Sequence, residues 1–102
     1  MVRVDQYPAG IPVPAANPRT YQLLLGAHAM ESASRLVSTQ SVPFGAFPGE
    51  EGVFTDQAGA TEKRRVVMKG HRLYQVSYTH AERPETSAVG DAFLASFRIP
   101  AH

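Results

Sequence analysis

The sequence predicts an α+β domain: an antiparallel sheet of about four to five strands with two helices, in the order β-α-β-β-β-β-α. Three observations carry this. Short runs rich in β-branched and aromatic residues are separated by turn residues through the middle of the chain. Two segments, one after Asn17 and one after Thr86, place apolar residues at three- and four-residue spacing. The 8 Gly and 8 Pro favour many turns over long helices.

The 102 residues are a one-domain length, and such a chain buries about two-thirds of the surface exposed when unfolded. Residues 1–102 are therefore read as a single domain. Residues 1–16 form an N-terminal strand and proline-rich arm, and residues 17–99 form the α+β core. Val2 and Val4 alternate with Arg3 and Asp5, as in a half-buried strand over about residues 2–7. Three prolines between Pro8 and Pro14 exclude helix and inner strand, leaving an extended arm.

Asn17-Pro18 pairs an N-cap residue with proline at the first helical position, where a missing N–H costs nothing. Tyr21, Leu24, Leu25, His28 and Ala29, with Ser32, then follow helical periodicity toward Arg35, and Tyr21, Leu24 and Leu25 are expected to be buried. Leu36 to Val42 reads as a strand. Pro43-Phe44-Gly45 and Phe47-Pro48-Gly49 read as two successive turns. Residues 51–55 and 60–68 should form a hairpin around Asp56-Gln57-Ala58-Gly59.

Lys69-Gly70 lies between two apolar runs and predicts a second hairpin, with Val66 opposite Leu73 and Arg65 opposite Tyr74. That register puts Val67, Tyr74, Val76 and Tyr78 on one face with the stems of Lys63 and Arg65. Val66, Met68 and Leu73 lie on the other with Arg64 and Gln75. Thr86 or Ser87 caps a last helix running to about Ser96, on which Val89, Ala92, Phe93 and Phe97 make an apolar stripe. Phe93 and Phe97 are expected to be buried against the sheet.

Gly45-Ala46-Phe47-Pro48-Gly49-Glu50-Glu51, Gly70-His71-Arg72-Leu73-Tyr74-Gln75-Val76 and Ala92-Phe93-Leu94-Ala95-Ser96-Phe97-Arg98-Ile99, taken in order, resemble bacterial proteins of the PsbP/Mog1-like α/β/α sandwich type. The resemblance covers roughly residues 17–99. It implies a scaffold and binding role without a fixed chemistry, because the fold hosts unrelated functions. Such domains usually carry two further strands before the first helix, so the resemblance also implies an N-terminally shortened fold. A shortened sheet leaves a strand edge open, and a homodimer is expected through that edge or through exchange of the N-terminal arm.

Function classes narrow from composition. Ten Lys+Arg against nine Asp+Glu give a net charge of +1, which makes no long-range field, so nucleic acid is not an expected partner. The absence of cysteine removes disulfides, thiolate nucleophiles and the usual zinc sites. The N-terminus lacks a signal-peptide pattern, and no apolar run is long enough to span a bilayer. No compartment is assigned: as written the chain is expected in the cytoplasm, and a truncated N-terminus would instead imply export.

No HExxH, G-x-S-x-G or glycine-rich phosphate loop occurs. His28, His71, His80 and His102 show no metal-ligand spacing, so no metal, cofactor or catalytic residue is assigned. Lys63, Arg65, Arg72, Tyr74 and Tyr78 share one predicted strand face, and basic residues interleaved with aromatics hold anions or single strands on some sheets. The competing reading puts Tyr74, Val76 and Tyr78 beneath a helix, with the cationic stems reaching the rim. The leading function is a non-enzymatic binding or assembly module. The alternative is a small enzyme or ligand binder with a pocket near His71, Glu50 and Tyr74.

Overall fold

A computed structural model describes residues 2–8, 16–80 and 87–98. Its elements are β1 (Val2–Gln6), α1 (Pro18–Glu31), β2 (Arg35–Phe44), β3 (Phe47–Thr55), β4 (Thr61–Lys69), β5 (Arg72–His80) and α2 (Ser87–Ser96). The five strands form one antiparallel sheet in the order β1-β5-β4-β3-β2. The element order matches the sequence reading. β1 departs from chain order, crossing past the hairpins to pair with β5 at an outer edge.

α1 starts where the sequence says it must. Asn17 is extended and its Oδ1 accepts from the Thr20 N–H at 2.9 Å, with Pro18 in the first turn. It ends earlier than expected. Ala33 takes a left-handed φ of 53°, so the Ser34 N–H reaches the Ala29 carbonyl and the Ala33 N–H reaches that of Met30. That bond pattern is a Schellman close, usually made with glycine. With alanine in that place, the sequence carries no stop signal and the helical spacing runs on to Arg35.

Both tight hairpins place glycine first in a two-residue turn, Gly45-Ala46 with φ 61° and Gly70-His71 with φ 59°. Such turns need positive φ at the first central position, which glycine adopts freely. The two turns expected around Pro43 and Pro48 are thus a single turn, and both prolines lie within strands, facing each other. In β4–β5 the observed pairs are Val67 with Tyr74, Met68 with Leu73 and Arg65 with Val76. Val66 faces Gln75 rather than Leu73. The turn sits one residue later than expected, which shifts the register by two, and an even shift leaves every side chain on its expected face.

The two faces bury separate clusters. On one, Tyr21, Leu25 and Ala29 of α1 pack on Phe54, Val66, Met68 and Leu73, with Leu24 and Leu36 partly buried beside them. A bulge between Leu36 and Ser38 lets β2 contribute Leu36 to this side and Val42 to the other. On the opposite side, Val42, Phe44, Val67 and Tyr74 pack with Phe97. Here the expectation for the last helix needs correcting. Phe93 is 38% exposed, and Leu94, one position on, is the fully buried residue at 1%. The proline-rich arm from residue 9 to residue 15 and the loop 81–86 lie outside the described residues.

Candidate functional site

Lys63, Arg65, Arg72, Tyr74 and Tyr78 do share one face, the α2 side of β4 and β5. It is not an open stacking platform. Tyr74 is 3% exposed, with its ring 6.2 Å from that of Phe97, and half-buried Tyr78 lies 6.4 Å from the ring of Phe93. The Arg65 Nε donates to Glu51 Oε2 at 2.7 Å, and Gln40 donates to the other oxygen of the same carboxylate. Lys63 and Arg72 are half-buried and engaged as well. Aromatic rings that bind bases must offer a free face. Tyr74 has spent its faces on the core.

His71, Glu50 and Tyr74 are not brought together. His71 is exposed in the β4–β5 turn. Glu50 is buried on the α1 side, opposite Tyr74, where Gln22 and Ser41 donate to its carboxylate at 3.3 and 3.0 Å.

Sequence reasoning missed a line of polar contacts on the α1 side. His28 Nε2 lies 2.7 Å from Glu62 Oε1, and Arg64 donates to Glu62 Oε2 at 2.8 Å and to Gln75 Oε1 at 2.9 Å. Gln75 donates in turn to Asp5 Oδ2, and Arg3 to Asp5 Oδ1. Arg64 is buried, and its Nε has no partner among the described residues. The His28 ring meets Phe54 edge-on at 5.1 Å. Two shallow cavities of about 220 and 190 Å³ share His28 as a wall. The His28–Glu62 and Gln75–Asp5 contacts span 34 and 70 residues of sequence, so no local spacing announces them. Among the described residues no three His, Asp or Glu side chains gather as a metal-binding group.

The sheet edges are the other exposed feature, and they are unlike each other. The Tyr7 N–H donates to the His71 carbonyl at 2.7 Å. Bonded and non-bonded pairs alternate in an antiparallel ladder, so Asp5 and Arg3 bond inward to β5, and the backbone groups of Val2, Val4 and Gln6 point outward. The Val2 and Val4 side chains, on the α2 side with Val76 and Tyr74, are each 49% exposed. On β2 the same alternation, counted from the Phe44–Phe47 pair that closes the turn, turns Pro43, Ser41 and Thr39 outward. Proline offers no donor and the bulge near Val37 bends the strand, two devices that guard an edge. β1 has neither.

No helix among the described residues is long and apolar enough to cross a membrane. No family model, curated protein or solved structure matches the chain.

Proposed function

We propose that the chain is a non-enzymatic assembly module that acts as a homodimer, with its sheet as the joining surface. The observation that carries this is the β1 edge, which among the described residues is left open with outward backbone groups and half-exposed valines, while the β2 edge across the sheet is shielded by a proline and a bulge. Open edges pair with other strands unless something prevents it. The basic–aromatic set supports the same reading, because Tyr74 is buried and its half-buried partners are engaged, which leaves those residues structural work. A PsbP/Mog1-like scaffold role is part of the proposal, supported by a five-stranded antiparallel sheet with a helix on each side. Light scattering at tens of micromolar tests it. A dimer is the expected result, and a monomer across that range refutes it.

A second reading is favoured by one observation, the Glu62-held imidazole of His28 in the wall of two cavities. A carboxylate that fixes an imidazole leaves its second nitrogen for a small polar ligand. A screen of small polar fragments, read by the NMR signals of the His28 ring, decides it. Saturable shifts lost in Glu62→Gln support a ligand site, and no shift by any fragment removes it.

A further inference from the structure

The outward groups of β1 recur at Val2, Val4 and Gln6, so a second strand closes hydrogen bonds with them only in registers that move by two residues. The charges between those positions then choose among the registers. We infer that two copies pair β1 against β1, antiparallel about a two-fold axis through Val4 and perpendicular to the sheet. This rests on the self-association proposed above and adds its surface and register.

With Val4 opposite Val4 of the second copy, Val2 faces Gln6, and Arg3 of each copy stands directly opposite Asp5 of the other. Moving the register by two in one direction sets Arg3 against Arg3. Moving it by two in the other sets Asp5 against Asp5. Directly opposed residues sit close enough for unlike charges to stabilise and like charges to destabilise. Of these three registers only the central one is free of a like-charge pair, and it forms the most backbone pairs of any. Arg3 and Asp5 now bond each other within one strand at 3.1 Å, an exposed contact worth little. Dimerisation exchanges it for two cross-strand pairs on the α1 side.

On the α2 side, Val4 of one copy meets Val4 of the other, with each Val2 diagonal to the other copy's Val4, and this apolar surface leaves water. The two five-stranded sheets become one continuous sheet. The symmetry is isologous and closed, so pairing stops at two copies while β2 stays guarded at both outer ends. One short strand from each copy is a small interface, which places the association in roughly the micromolar range.

Sedimentation velocity on the full chain at tens of micromolar tests the register, with far-UV circular dichroism to verify folding of each sample. The wild type sediments as a dimer. Arg3→Glu and Asp5→Lys each put like charges opposite one another, and each raises the dimer dissociation constant roughly tenfold. A one-to-one mixture of the two variants restores the dimer, because each then offers the charge that the other lacks. Dimers unchanged in both single variants, or a mixture that stays monomeric, overturn the β1 register while leaving assembly through another surface intact. A monomeric wild type overturns both the register and the assembly reading.

Discussion

Ala33 and Gly49 show how much a single backbone position decides. Ala33 holds the left-handed turn that closes α1, a conformation costing an L-residue about 1–2 kcal/mol. Ala33→Gly should therefore stabilise the fold by up to about 1 kcal/mol, some of the gain being lost to the freer unfolded chain. A thermal melt should rise by a few degrees. Gly49 is the opposite case. A Cβ there would lie 2.6 Å from the Val66 carbonyl oxygen and 2.8 Å from the Phe44 ring, so Gly49→Ala should cost about 1–3 kcal/mol by forcing the strands apart. A melting temperature equal to the wild type would contradict that packing. Arg64 marks a third residue-scale dependence, being buried with Glu62 as its charged partner. Glu62→Ala leaves an under-compensated cation inside and should cost about 3 kcal/mol, measurable by urea denaturation.

At the scale of elements, α2 is held by Leu94 rather than by Phe93. Leu94→Ala should cost about 2–5 kcal/mol, as other buried leucines do. Phe93→Ala should cost clearly less, because the ring keeps more than a third of its surface in water. Paired urea melts of the two variants check this, and equal losses would place the helix in a different rotation. The element level was also where the sequence was most legible. Asn17-Pro18 marked the start of α1, because capping chemistry is local. The faces of β4 and β5 came out correctly although the register did not, because glycine took the first turn position and the shift was even. On α2 Leu94 rather than the expected Phe93 is buried, since two adjacent bulky residues satisfy nearly the same spacing, while Phe97 packs against the core as expected. The His28–Glu62–Arg64 line was invisible for a different reason. It is assembled from α1, β4 and β5, and only the fold brings those together.

The whole molecule is a sheet with a helix on each side and two dissimilar edges. β2 carries a bulge and an outward proline, while β1 carries exposed valines and a pair of opposite charges. The alternation of Val2-Arg3-Val4-Asp5 was readable as a strand, but its place beside β5 was not, because that pairing joins residues about seventy positions apart. Its position at the edge gives those few residues their bearing on function. Sedimentation equilibrium of the unmodified chain over a range of micromolar concentrations measures this claim most directly. The expected result is a mass that rises with concentration to twice the 11.1 kDa of one chain and goes no further. A mass fixed at 11.1 kDa throughout that range would contradict it.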